Sequence, residues 1–263
     1  MAPDPVGHTP SVKSPGLLTL ALEARAPLEY LASLAAGPWL LQAPRGDGHP
    51  VIVYPGLLAG DFSTRPLRRL LRTLGHDAIG WGQGRNLGPR GDTLERALAR
   101  VHALHAQHGR KVSLVGWSLG GLYARELAKR ALDAVRCVVT LGSPFTGPAD
   151  ATRARRTFDW LHRDEPPQEI SHASLREPPA LPTTSIYSRS DGIVAWQCSL
   201  EAAGPLSESI EVAASHLGLG VNPMALYALA DRLAQPEGQW QPFARRGMRR
   251  FFYRSPRPAA GGA

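Results

Sequence analysis

The chain has 263 residues, of which 43% are hydrophobic and 20% carry a charge. This length is sufficient for one well-packed α/β domain, and the composition is too apolar for a disordered chain. The formal net charge is +8, which we interpret mainly as arginine on solvated surfaces, because only the C-terminus carries a basic cluster. Two cysteines, Cys137 and Cys198, are too few for a disulfide framework.

Residues 1–50 are predicted to form an N-terminal arm followed by a short helix. Four prolines within residues 1–15 disfavour regular structure, and a helix is expected over residues 27–36. One face of this helix carries Leu28, Leu31, Leu34 and Ala35. The apolar run at residues 17–22 is too short for a secretion signal or a membrane span, so we expect a cytoplasmic protein.

From residue 51 to residue 241, short apolar runs alternate with amphipathic segments. The predicted strands are 51–54, 78–81, 112–115, 137–141, 184–187 and 209–213. The predicted helices are 65–74, 92–109 (with Asp92 as N-cap), 119–130 and 223–233. This alternation predicts an α/β domain with a mostly parallel sheet of about six core strands and helices on both faces.

Two segments depart from this pattern. Residues 144–180 carry charges and prolines and are interpreted as a lid-like insertion. Residues 242–263 form a basic tail, which contains Arg245, Arg246, Arg249, Arg250, Phe251, Phe252, Tyr253, Arg254 and Arg257. We expect this tail either to fold back on the domain through its aromatic residues or to make peripheral contact with an anionic membrane.

A serine between two glycines stands at the junction of a predicted strand and a predicted helix. Residues 116–120 read Gly-Trp-Ser-Leu-Gly, with an apolar strand before them and an amphipathic helix after them. In this context the serine lies on a sharp, strained turn that exposes its hydroxyl, and the glycines allow strand and helix to approach closely. Ser118 is therefore the candidate nucleophile.

A nucleophilic serine needs a base, and the base needs an acid that orients it. His216 directly follows the last predicted strand, whereas the other two histidines after Ser118 lie in the insertion. Asp191 lies in the Ser-Asp-Gly turn that follows the fifth predicted strand, where the acid is expected. Glu208 and Glu211 fit this role less well, because they lie in or beside the last strand.

Backbone and aromatic groups complete the predicted site. The oxyanion of an acyl-transfer intermediate is expected to accept hydrogen bonds from the N–H groups of Leu57 and Leu119, which follow the first strand and the nucleophile. Trp117, Phe145 and Trp160 are candidate substrate contacts, and core packing is the alternative for such aromatic residues.

With these motifs, the chain from about residue 51 to residue 233 resembles small bacterial lipases and esterases of the α/β-hydrolase superfamily. The resemblance is carried by residues 116–121, 141–144, 190–194 and 215–216. It implies the α/β-hydrolase fold and ester hydrolysis through an acyl-enzyme, with Ser118, Asp191 and His216 as the triad and no metal or organic cofactor. The chain has Pro55 and Phe145 where many of these enzymes carry histidine, which leaves the substrate class open.

Other functions remain compatible with the same residues. An acyltransferase or thioesterase uses the same triad chemistry, and a non-catalytic binding protein could retain the scaffold. A metal site is not expected: His102, His105 and His108 lie at the end of a predicted helix, where imidazoles complement the helix dipole. The predicted partner is a small-molecule ester or acyl substrate rather than a nucleic acid.

Overall fold

The computed structural model describes residues 12–163 and 170–254. Most of the predicted N-terminal arm, Asp164, Glu165 and Glu169 of the insertion, and Arg257 of the tail lie outside these ranges. The described strands are β1 Pro50–Tyr54, β2 Asp77–Gly80, β3 Val112–Trp117, β4 Val135–Leu141, β5 Thr183–Tyr187 and β6 Ser207–Glu211. They form one parallel sheet in the order β2-β1-β3-β4-β5-β6. The carboxyl ends of these strands therefore meet at one edge, where open α/β sheets bind their ligands.

Helices cover both faces of this sheet. Among the described residues they are α1 Leu17–Ala21, α2 Ala26–Ala35, α3 Gly37–Leu40, α4 Arg65–Thr73, α5 Thr93–His108, α6 Leu119–Arg130, α7 Arg155–Leu161, α8 His172–Arg176, α9 Pro223–Leu233 and α10 Arg249–Phe252. Alternate residues of β1 point to opposite faces, so that Val51 and Val53 pack with α4 and α9, whereas Ile52 and Tyr54 pack with α5 and α6. This architecture confirms the predicted fold class. None of the described helices combines the length and apolarity that a membrane span requires.

Most predicted elements agree with the structure, and the differences have local causes. The bounds of α6 and α9 are those predicted. Strand β6 begins and ends two residues earlier than predicted, because it is an edge strand whose pairing with β5 ends at Tyr187 and Glu211. Asp92 precedes α5, but its side chain does not cap the helix; it forms an ion pair with Arg96 instead.

The N-terminal segment (residues 17–35) consists of α1, a 3₁₀ turn at Leu22–Arg25 and α2. The helix expected at 27–36 is α2, but its leucine face points to solvent: Leu28 is 67% exposed, and Leu31 and Leu34 are 58% exposed. The buried side chains of this segment are polar and comprise Glu23, Glu29 and Ser33. The segment is therefore attached to the domain by polar contacts rather than by an apolar stripe.

The insertion and the tail both pack against the domain within the described residues. Leu175 of α8 is buried, and its carbonyl accepts a hydrogen bond from the fully buried Arg125 of α6 at 2.9 Å. In the tail, Phe243 and Tyr253 are buried against α9, and the Tyr253 hydroxyl donates to the Met224 carbonyl at 2.9 Å. The described part of the tail thus folds back on the domain.

Candidate active site

Ser118 lies on the sharp turn between β3 and α6. Its φ of 53° and ψ of −122° are strained for a residue with a side chain. Its N–H donates to the Leu141 carbonyl at 2.8 Å. A Cβ atom on Gly120 would lie 2.3 Å from the Tyr54 carbonyl oxygen, so only glycine lets α6 start this close to β1. The local sequence therefore produces the strained, half-buried serine that the motif predicts.

Asp191 and His216 form a buried pair at the same edge of the sheet. Asp191 follows β5 and His216 follows β6, and each is 4% exposed. The Asp191 Oδ2 atom lies 2.6 Å from His216 Nδ1. Asp191 Oδ1 accepts the N–H groups of Ile193 and Val194 at 2.9 and 2.7 Å. This carboxylate is thus fixed by its own loop and holds the imidazole with Nε2 as the nitrogen free to accept a proton.

Contacts around the end of β4 place this pair near the turn that carries Ser118. A Cβ atom on Gly142, which directly follows β4, would lie 3.1 Å from Asp191 Oδ2 and 3.2 Å from His216 Nδ1. The indole N–H of Trp117, the neighbour of Ser118, donates to the His216 carbonyl at 3.1 Å. Within the described residues, no hydrogen bond joins Ser118 Oγ to His216. The three candidate residues therefore lie at the same edge of the sheet, and the serine hydroxyl and the imidazole are not hydrogen-bonded to each other in this conformation.

Two carboxylates control the protonation of His216. Burial of the imidazole disfavours its charged form, but the charge and hydrogen bond of Asp191, together with the charge of Glu23, outweigh burial. The pKa of His216 is therefore raised above its usual value. An imidazolium formed during a proton transfer would be stabilised at this position.

The two predicted oxyanion donors have free N–H groups. Among the described residues, neither the N–H of Leu57 nor the N–H of Leu119 donates to a protein acceptor. Leu119 is the first residue of α6 and directly follows Ser118. Free backbone donors beside a nucleophile are what an oxyanion site requires.

The loop that carries Leu57 is held rigidly against the nucleophile. Leu58 has a strained φ of 62°, and its N–H donates to the Asn86 carbonyl at 2.7 Å. The Asn86 side chain in turn donates to the Pro55 carbonyl at 2.7 Å. A Cβ atom on Gly56 would lie 3.4 Å from the Cβ atom of Ser118. The strain at Leu58 is therefore maintained by neighbouring contacts, as is common near functional sites.

The three predicted substrate contacts occupy different environments. Phe145 is 1% exposed, and its ring packs under the Arg125 guanidinium at 3.9 Å. Trp117 is half-buried and packs against the core on the α9 side. Trp160 of α7 is 63% exposed. Phe145 is thus enclosed in the protein, Trp117 is partly accessible, and Trp160 presents a largely free aromatic surface.

The sequence pattern did not indicate Glu23, although its carboxylate touches the loops of both the acid and the base. Glu23 is 7% exposed, and its Oε1 atom accepts the N–H groups of Gly192 and His216, both at 2.8 Å. Its Oε2 atom accepts the N–H of Leu217 at 2.9 Å. The one available signal was that Glu23 directly follows the apolar run at 17–22 and ends it.

A second Ser-His-Asp arrangement lies at the opposite edge of the sheet. His49 Nδ1 lies 2.6 Å from Asp47 Oδ1, and His49 Nε2 lies 2.8 Å from the Ser113 hydroxyl. The buried free thiol of Cys137 donates to the same hydroxyl at 3.2 Å. His49 and Ser113 are fully buried. Asp47 is itself exposed, but the buried imidazole and hydroxyl satisfy each other and are closed to a substrate.

Comparison with solved structures supports the fold. The chain is 17% identical to Aspergillus fumigatus lipase B (TM-score 0.56), with 72% of this chain and 52% of that chain covered. It is 16% identical to Bacillus licheniformis lipase BlEst2 (TM-score 0.52), with 74% and 95% covered. An alpha/beta superfamily hydrolase from Oenococcus oeni PSU-1 gives 17% identity and a TM-score of 0.52, with 71% and 91% covered. This chain therefore spans only about half the length of the Aspergillus lipase, and these identities establish a shared fold alone.

Comparison of sequences identifies the family. A search of curated proteins found no significant match. Residues 48–260 match the sequence profile described as the alpha/beta hydrolase family. The match covers most of the chain, including the parallel sheet, the strained serine and the paired Asp191 and His216. This chain belongs to the alpha/beta hydrolase family, and that membership supports a hydrolase activity.

Proposed function

We propose that this protein hydrolyses carboxylic esters, with Ser118 as nucleophile, His216 as general base and acid, and Asp191 as the residue that orients His216. The observation that carries the proposal is the buried 2.6 Å contact between Asp191 and His216, at the strand edge where Ser118 occupies its strained turn. The lipases among the structures of similar fold are consistent with this substrate class.

In the proposed reaction, His216 Nε2 accepts the Ser118 hydroxyl proton as Oγ attacks the ester carbonyl carbon. The developing oxyanion accepts hydrogen bonds from the N–H groups of Leu57 and Leu119. Asp191 stabilises the imidazolium, which then donates its proton to the leaving alcohol oxygen and leaves an acyl-enzyme. Water attacks the acyl group in the second half, His216 takes a proton from that water, and the carboxylic acid is released as the proton returns to Ser118.

A fluorophosphonate probe tests the proposal without knowledge of the natural substrate. Folded wild-type protein should label at Ser118, and Ser118→Ala should not label. His216→Ala should lose nearly all labelling, because the hydroxyl is then an ordinary alcohol. Ser113→Ala is the matched control on the same strand and should label like the wild type.

Hydrolysis of p-nitrophenyl acetate and butyrate then tests the ester class directly. Wild type should release nitrophenol, and Ser118→Ala should not. A folded wild-type protein that neither labels nor turns over these esters would overturn the proposal and favour a binding protein. Labelling without ester hydrolysis, or product formation that requires an added alcohol acceptor, would overturn the ester-hydrolase assignment.

A further inference from the structure

We infer that Glu23 is a positioning residue, which holds the loop of the acid and the loop of the base in their mutual geometry. The N-terminal segment then contributes to the geometry of the active site. This inference rests on the proposed function above, because it assigns Glu23 a part in the reaction of Ser118. Glu23 lies outside the region that matches the family profile, which begins at residue 48.

The geometry of the Glu23 carboxylate carries the inference. Its three donors are the N–H of Gly192, which directly follows Asp191, and the N–H groups of His216 and Leu217. One buried carboxylate therefore joins the two loops that must meet for the Asp191–His216 contact to form. A carboxylate with several backbone N–H donors makes strong, directional hydrogen bonds, and its removal leaves those donors buried without an acceptor.

Neighbouring contacts attach the rest of the N-terminal segment to the same two loops. Glu29 accepts the N–H of Ser215 at 2.8 Å, and Arg25, which donates to Glu29 at 2.8 Å, also donates to the Ser190 hydroxyl at 2.6 Å. A Cβ atom on Gly192 would lie 2.3 Å from the Thr19 carbonyl oxygen, so the acid loop passes directly under the backbone of α1. The N-terminal segment thus contacts both loops on either side of the two catalytic candidates.

The inverted polarity of the segment supports the same conclusion. Its leucines face solvent and its carboxylates face the domain, which is the reverse of a helix that contributes to an apolar core. The polar contacts that attach it go largely to the two loops of the site. Burial of two carboxylates is costly unless their oxygens accept hydrogen bonds. Here Glu23 accepts three backbone N–H groups, and Glu29 accepts one backbone N–H and the side chains of Asn222 and Arg25.

The pKa of His216 distinguishes a positioning role of Glu23 from a merely structural role, because only the positioning role should change it. The charged groups packed around the His216 loop are Asp191 from the loop after β5, Glu23, and Glu29 with its partner Arg25. The charge of Glu23 helps to raise the pKa of His216. The base acts in its neutral form. Loss of the Glu23 charge should therefore shift the acid limb of the pH profile of kcat/KM to lower pH.

The test compares Glu23→Gln, Glu23→Asp and Glu29→Gln in the full chain. Glu23→Gln removes the charge and turns an N–H donor towards Leu217, and should lower kcat/KM about 10- to 100-fold while moving the acid limb to lower pH. Glu23→Asp keeps the charge but shortens the reach; it should lower kcat/KM and leave the acid limb in place. Glu29→Gln makes the same change in charge at similar burial, and should lower the unfolding temperature without moving the limb.

NMR titration of the His216 imidazole and amide hydrogen exchange provide a measurement that does not depend on turnover. In Glu23→Gln, the His216 pKa should fall, and the amides of Gly192, His216 and Leu217 should exchange faster than in Glu29→Gln. Should Glu23→Gln fail to fold, the same comparison is made with Glu23→Asp, whose three amides should exchange faster while its His216 pKa stays near that of the wild type.

Folded variants with wild-type rate, acid limb and amide exchange would overturn the inference. Equal losses in Glu23→Gln and Glu29→Gln, with the acid limb and the His216 pKa unmoved, would show a structural role only and would also overturn it. A wild-type protein that does not label with fluorophosphonate would instead refute the proposed function, and the two NMR measurements would still decide the role of Glu23.

Discussion

Ser113 and Ser118 lie on or directly after the same strand, and each lies near a histidine that is bonded to an aspartate. At the amino-terminal edge of the sheet, Ser113, His49 and Asp47 form a complete hydrogen-bonded chain. At the carboxyl edge, Asp191 and His216 are bonded, while the Ser118 hydroxyl is not bonded to His216. Judged by hydrogen bonds alone, the buried chain has the more complete arrangement of the two.

The surroundings of the two serines reverse that ranking. Ser113 lies in an extended strand and is fully buried, whereas Ser118 is half-buried on a strained turn with two free backbone N–H groups nearby. Burial lowers the pKa of His49 despite its contact with Asp47, whereas Asp191 and Glu23 raise the pKa of His216. Access, free donors and a base whose charged form is stabilised therefore distinguish a catalytic candidate from a structural polar chain.

The largest expected difference between the two regions is in the role of the aspartates. Asp191→Asn should lower kcat about 10⁴-fold, as the same change does in a comparable triad, because the imidazole loses its correct tautomer and its charge partner. Asp47→Asn should leave kcat near the wild-type value and lower the unfolding temperature, because the buried Arg136 guanidinium loses its charge partner. Ester hydrolysis and thermal unfolding measured on both variants make the comparison.

Equal kcat values for the two asparagine variants would contradict the assignment of Asp191. A large loss of kcat in Glu208→Gln or Glu211→Gln, with the kcat of Asp191→Asn unchanged, would indicate that the acid of the triad lies on the last strand. Glu208 pairs with Arg232, and Glu211 pairs with Arg189, so we expect both glutamine variants to retain kcat and to lose some stability.

The buried region should determine how stability responds to acid. His76 packs against His49, both of its ring nitrogens are buried without a partner, and burial lowers its pKa to about 4. On acidification, His76 takes up a proton near pH 6.5 in the unfolded chain but only near pH 4 in the folded chain. The free energy of unfolding should therefore fall by about 3 kcal/mol between pH 6.5 and pH 4 because of His76.

Urea unfolding at several pH values checks this expectation. His76→Phe keeps a ring of similar shape that does not titrate, and should flatten the dependence on pH over this range. A wild-type free energy of unfolding that stays constant from pH 6.5 to pH 4, or a His76→Phe variant with an unchanged slope, would contradict it.

The smallest effect concerns the pH dependence of activity. Because the pKa of His216 is raised and the base must be neutral, the acid limb of kcat/KM should lie above the ordinary histidine value of about 6.5. Activity should then fall on acidification before stability does. Initial rates and circular dichroism between pH 5 and pH 9 test this order, and an acid limb below pH 6.5 would contradict it.

The fold and the strained turn at Ser118 could be predicted because their signals are local. The apolar run of β3, the glycines around Ser118 and the start of α6 are close together in the chain, and each agrees with the others. Asp191 and His216 were indicated by their positions directly after predicted strands. Parallel strands bring such positions to one edge without any knowledge of the tertiary contacts.

The remainder of the site depends on information that local patterns do not contain. Hydrophobic periodicity showed that α2 has an apolar face, but not that this face points to solvent. Phe145 is an aromatic residue near the site in sequence, yet its ring packs under Arg125. Glu23 acquires its contacts from loops that lie 169 to 194 residues further along the chain.

That separation has a consequence for the order in which the protein is made. Glu23 is synthesised 193 residues before His216, which at about 5 to 20 residues per second corresponds to roughly 10 to 40 seconds. During this time the N-terminal segment has exposed leucines and carboxylates with no loops to bind. The turn that carries Ser118 can fold as soon as α6 has been made, but Asp191, His216 and Glu23 can meet only after residue 217 has been made. An unfinished chain would therefore hold a formed serine turn without an assembled base.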